Sequence, residues 1–132
     1  MPFKVSIQPR EQGVFTIAIS GPLDATTYAL FEEKLQPVLV RSTHMIILDM
    51  KDVNYISSLG IGSIFKALKT MKGNGGQIAL ANVQPQIRKV FETVKVMPHA
   101  IFKNIEEVDV YLDEIQRKTG RNLDNKINGH NI

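Results

Sequence analysis

Met45-Ile46-Ile47-Leu48-Asp49-Met50-Lys51-Asp52-Val53-Asn54-Tyr55-Ile56-Ser57-Ser58-Leu59-Gly60-Ile61-Gly62 is the stretch from which the fold is read. Its first four residues are a continuous apolar run. A strand of that kind is buried on both faces, and such strands belong to parallel sheets covered by helices. A polar connection follows. Ser57-Ser58 then opens a helix whose apolar residues Ile61, Ile64, Phe65, Leu68 and Met71 are spaced 3, 1, 3 and 3 apart. Gly73-Asn74-Gly75-Gly76 ends that helix, since glycine reaches left-handed backbone angles without penalty. Strand, connection, helix and turn form one βα unit.

Reading forward, Gln77 to Ala81 is the next strand. Pro85 stands at a first helical position, followed by Ile87, Val90, Phe91 and Val94 on one face. Ala100-Ile101-Phe102 is a short last edge strand. Asn104 caps a final helix, with Glu107 placed as in a capping box and Val108, Tyr111, Leu112 and Ile115 as its stripe. Reading backward, Asp24 or Thr26 caps a first helix with the stripe Tyr28, Phe31, Leu35, Val38 and Leu39. Pro37 predicts a kink or an early stop in it. The chain opens on a hairpin: Phe3, Val5 and Ile7 alternate with polar residues, Pro9 to Gly13 turn, and Phe15, Ile17 and Ile19 share one face of the return strand. Gly21-Pro22 breaks that strand, because proline lacks the N–H a ladder requires. This order predicts one α/β domain over residues 1–119, a mixed sheet with an N-terminal hairpin covered by about four helices. Residues 120–132 read as a flexible basic tail.

Composition supports a single globular unit. The 132 residues are 43% hydrophobic and 22% charged, enough to build a core. There is no cysteine, which removes disulfides, thiolate metal ligands and thiol nucleophiles. No signal peptide and no apolar run of the roughly 20 residues a membrane helix needs is visible, so a cytoplasmic location is expected. The net charge of +3 is carried by the last sixteen residues, and the body is neutral. A basic nucleic-acid face is therefore not expected.

The ordinary catalytic patterns are missing from the sequence. His44, His99 and His130 lack ligand-like spacing, and Glu32-Glu33 and Glu106-Glu107 read as solvated helix faces or dipole partners. The glycine-rich turn lacks the Lys-Ser/Thr of a phosphate-binding loop, and neither serine follows the Gly-x-Ser-x-Gly pattern. What is left is the serine pair. Ser57 or Ser58 caps the helix, and the same geometry suits a phosphate, because a helix start offers free N–H groups and a positive dipole end. Gly60 and Gly62 each cost roughly 1 kcal/mol against alanine inside a helix. Either close approach by a partner or tight internal packing accounts for them.

The run Leu48-Asp49 through Val53, Tyr55-Ile56-Ser57-Ser58-Leu59-Gly60-Ile61-Gly62 resembles the signature of STAS domains, specifically the bacterial anti-sigma-factor antagonists. Gly21-Pro22-Leu23-Asp24, Gly75-Gly76, Val83-x-Pro85 and Val90-Phe91 are similar to further family positions, so the resemblance covers about residues 3 to 116. It implies a non-enzymatic STAS-type fold without cofactor or metal, a monomer or weak dimer. In its unphosphorylated form such a domain binds an anti-sigma factor that is also a serine kinase of the GHKL type, and so releases the sigma factor. A PP2C-type phosphatase reverses the phosphorylation. Two residues before Gly60, the modified position falls on Ser58, with Ser57 as second choice, and the partner-facing residues are Asp24, Ser57, Ser58, Leu59 and Gly60. Two departures stand out, a neutral Ser57 where the family has an acid and a large Leu59 where it has a small residue. The resemblance also admits a scaffold subunit of a stressosome-like complex, or an accessory subunit of a lipid transporter.

Overall fold

The computed structural model describes residues 2–93 and 100–102. The strands β1 (Lys4–Glu11), β2 (Val14–Ser20), β3 (Met45–Asp52), β4 (Gln77–Ala81) and β5 (Ala100–Phe102) form one sheet in chain order. β1 is antiparallel to β2, and every later pairing is parallel. Three helices make the crossovers: α1 (Tyr28–Leu35), α2 (Ser58–Gly73) and α3 (Pro85–Thr93). The expected fourth helix from Asn104, Val94, His99, His130 and the tail boundary at residue 120 lie outside the described residues.

Register follows from the apolar alternation. Val5 and Ile7 pair with Ile19 and Ile17, Ile17 pairs with Leu48, and Leu48 pairs with Leu80, so one face of the sheet is apolar across four strands. Phe31 and Leu35 of α1, Ile61, Ile64 and Met71 of α2, and Ile87 and Phe91 of α3 close over that face in a single cluster. The helices sit together there because strands added in chain order by right-handed crossovers place them on the same side. On the other face Met45, Ile47, Ala79 and Ala81 are also buried, as the continuous run predicts.

One boundary differs from the sequence reading and another follows it. The hairpin turn is tighter than Pro9 to Gly13: β1 continues to Glu11, with an irregular register between Pro9 and Glu11. Pro9 is tolerated because β1 is an edge strand, where a missing N–H breaks no ladder. Gly13, at φ +80°, makes the reversal. At the first helix, Pro37 produces the early stop: α1 ends at Leu35 and a single 3₁₀ turn, Gln36–Val38, follows.

Candidate functional site

The strands β2 and β3 run parallel and leave the sheet at the same end, which brings their exit loops together. Backbone bonds stitch the two loops: Gly21 N–H donates to Asp52 O (3.0 Å), Leu23 N–H to Tyr55 O (3.0 Å) and Ser57 N–H to Leu23 O (2.9 Å). Leu23 and Ile56, both buried, form an isolated parallel bridge. The pairing of β2 with β3 thus extends past the strand ends, and it places Asp24 beside Ser57 at the start of α2.

Neither Asp24 nor Thr26 caps α1, which corrects the sequence reading. The helix begins later, at Tyr28, and its N-cap residue Thr27 makes no side-chain cap bond. Asp24 Oδ1 instead accepts from Thr26 N–H (2.8 Å) and from the Thr26 hydroxyl (2.7 Å), and the Asp24 N–H donates to Thr27 Oγ1 (2.9 Å). The Thr27 hydroxyl donates to Pro22 O at 2.8 Å. Short polar side chains close such local turns in competition with helix, and here the turn wins. The Thr26 hydroxyl, then its N–H, hold the Asp24 carboxyl below the usual carboxylate range. Asp24 is an ionised, fixed loop carboxylate.

The two serines have different tasks. Ser57 is the N-cap, with extended backbone (φ −98°, ψ 174°) and its Oγ accepting from Gly60 N–H at 3.3 Å. Ser58 is the first helical residue; it is exposed, and among the described residues its hydroxyl has no hydrogen-bond partner. One serine holds the helix and the other is free. Ser57→Ala should therefore lower stability by about 1 kcal/mol, whereas Ser57→Asp, an equally good cap, should keep it. Urea titration of both variants checks this, and equal losses in the two would show that the cap bond contributes nothing.

The glycines separate in the same way. Gly60 is buried, and a Cβ there would collide with the carbonyl oxygen of Leu23, the atom that accepts from Ser57. Its lack of a side chain lets the helix start press against the neighbouring loop; it shapes the surface from beneath. Gly62 is exposed, and among the described residues nothing lies within 4 Å of a Cβ built on it. Leu59 and Tyr55 stand out beside Ser58, 47% and 56% exposed.

One feature escaped the sequence reading. Glu32 of α1, expected on a solvated face or as a dipole partner, accepts from the buried Ser63 hydroxyl of α2 (2.7 Å) and from Lys66 Nζ (3.2 Å). The signal was available, because Ser63 is a polar residue within the buried arc of α2. The Ser63 hydrogen bond holds the Glu32 carboxyl below its usual range, Lys66 adds to this, and partial burial opposes it. A carboxyl whose folded pKa is depressed contributes stability above its unfolded pKa and loses it as pH falls through the folded value. The urea midpoint should thus fall on acidification through the carboxylate range. Glu32→Gln should flatten part of that fall, and an unchanged pH profile would remove Glu32 from the account.

Among the described residues, no group of three or more His, Asp or Glu side chains could hold a metal, and no helix is long and apolar enough to cross a membrane. The fold and site together define an α/β domain in which a helix start with a free hydroxyl is pinned, through the Leu23 carbonyl, to the neighbouring loop that carries Asp24. The STAS domain family model matches residues 7–108, and the chain belongs to that family. Its relatives include the anti-sigma-B factor antagonist of Listeria monocytogenes, 24% identical over 106 residues, which are 80% of this chain and 93% of that protein. The anti-sigma-B factor antagonist of Bacillus subtilis is 27% identical over 92 residues, 70% of this chain and 83% of that one. The Bacillus cell fate determinant SpoIIAA in its phosphorylated form has the same fold, with a TM-score of 0.67 at 19% identity, covering 83% of this chain and 99% of that one.

Proposed function

We propose that this chain is an anti-sigma-factor antagonist switched by phosphorylation of Ser58. The observation that carries the reading is the division of labour at the start of α2: Ser57 supplies the cap, and Ser58 presents an exposed, unengaged hydroxyl at a helix start tied to the loop of the ionised Asp24. The relatives named as antagonists of anti-sigma factors, and the existence of SpoIIAA in a phosphorylated form, support it. Unphosphorylated, the surface around Asp24, Ser58 and Leu59 binds an anti-sigma factor that is also a GHKL-type serine kinase, and the sigma factor is released. A phosphate adds about −1.5 to −2 charges at a helix start. The free N–H groups and dipole of α2 favour that charge, so the fold keeps its shape while the contact with the partner is lost. A PP2C-type phosphatase resets the switch in the cytoplasm. No metal or cofactor takes part, and the chain is substrate and ligand of the kinase, not itself an enzyme.

The direct test incubates the chain with ATP and each GHKL-type kinase encoded in the same genome, then maps the product by intact mass and fragmentation. One phosphate on Ser58, removed by a PP2C-type phosphatase, is the expected result. A phosphate on Ser57 would move the switch to the cap residue, and no phosphate from any of these kinases would remove the switch.

A further inference from the structure

We infer that the exposed face of α2, from Ser58 down to Lys72, is a docking track for an acidic segment of the anti-sigma factor, whose backbone crosses the helix at Gly62. This rests on the reading above and extends the contact from the helix start along its length. The first observation is energetic. Gly62 lies inside a 16-residue helix, where glycine costs roughly 1 kcal/mol against alanine, and among the described residues nothing needs it: a Cβ there meets none of their atoms within 4 Å. Gly60, two residues earlier, fills an internal contact; Gly62 fills none. At 100° per residue it sits in the middle of the exposed arc, with Ser58, Lys69 and Lys72 to one side and Leu59, Lys66 and Thr70 to the other. The bare backbone at the centre of an outward face fits close approach from outside.

The second observation is charge. α2 carries Lys66, Lys69 and Lys72 and no Asp or Glu, and all three lysines are exposed. Lys66 is tied to Glu32, but among the described residues neither Lys69 nor Lys72 forms an ion pair. Lys72 also complements the C-terminal end of the helix dipole; Lys69 is a turn further in. The track thus presents the half-exposed Leu59 at its head, a bare glycine in the middle and free ammonium groups below. That pattern is complementary to a segment with an apolar side chain at one end and carboxylates at the other.

The test uses the full-length chain and the kinase that phosphorylates it, and compares wild type with Gly62→Ala, Gly62→Gln, Lys69→Glu and Lys69→Gln by titration calorimetry and urea unfolding. Gly62→Ala and Gly62→Gln should raise the urea midpoint and yet weaken binding, by about tenfold for the single added methyl of alanine, as overpacking a close contact does. Lys69→Glu should weaken binding more than Lys69→Gln, and the difference should shrink at high salt. Phosphorylation of Ser58 in wild type establishes the underlying reading independently. If wild type is phosphorylated and binds, but the Gly62 and Lys69 variants bind equally well, the track is wrong and the contact is confined to the helix start. If no kinase binds or modifies wild type, the underlying reading falls and the track falls with it.

Discussion

Ser58→Asp should fold as well as wild type and lose roughly a hundredfold in affinity for its anti-sigma factor. Aspartate at the first helical position faces the positive end of the dipole, so the helix start accommodates it. The same charge becomes costly once a partner covers it, since a charge desolvated without a cation costs about 2–5 kcal/mol. Ser58→Ala separates fold from switch. The cap bond belongs to Ser57, so this variant should stay within about ±0.5 kcal/mol of wild type, bind the partner and take no phosphate. A loss of about 0.5–2 kcal/mol would instead mark Ser58 as the cap. Calorimetric titration of both variants, with thermal unfolding beside it, decides. If Ser58→Asp binds like wild type, charge at this position does not control the complex.

Gly60→Leu should be the most destabilising single change at the site, costing more than about 3 kcal/mol, with Gly60→Ala a milder version. The site has no room even for a methyl group, and the obstacle is a backbone carbonyl held in place by the Ser57 N–H at 2.9 Å, not a side chain able to turn aside. Overpacking of one methylene costs about 1–3 kcal/mol, and leucine adds three further carbons to a buried position. Because the collision pushes the start of α2 away from Leu23, binding should fall in step with stability. Urea unfolding and partner titration on the same protein make the comparison. Normal stability with lost binding would mean that Gly60 faces the partner and not the loop. The contrast with Gly62→Ala, expected to stabilise the free chain, tests both glycines by the same measurement.

Much of the fold was legible in the sequence because its signals are local and periodic. The run Met45 to Leu48 announced a strand buried on both faces, and β4 falls on Gln77–Ala81 as read. Pro85 opened a helix and Pro37 closed one, each because the ring fixes φ and removes a donor. The serine pair and its two glycines were legible as a site, but their separate duties were not. Which serine caps depends on where α2 begins, and that is fixed by the Leu23 carbonyl accepting from Ser57 N–H, a bond between residues more than thirty positions apart. The same carbonyl excludes a side chain at Gly60 and leaves Gly62 untouched, although the two glycines look alike in the sequence. Asp24 looked like a helix cap and closes a turn, because local polar side chains bond with two geometries that the sequence does not separate. Glu32 looked like a solvated or dipole-facing residue and holds Ser63, a neighbour brought close only on folding. Periodicity and backbone propensity act over a few residues and are written in the sequence. Hydrogen-bond assignment and close packing act between segments, and only the parallel pairing of β2 with β3 brought these segments together.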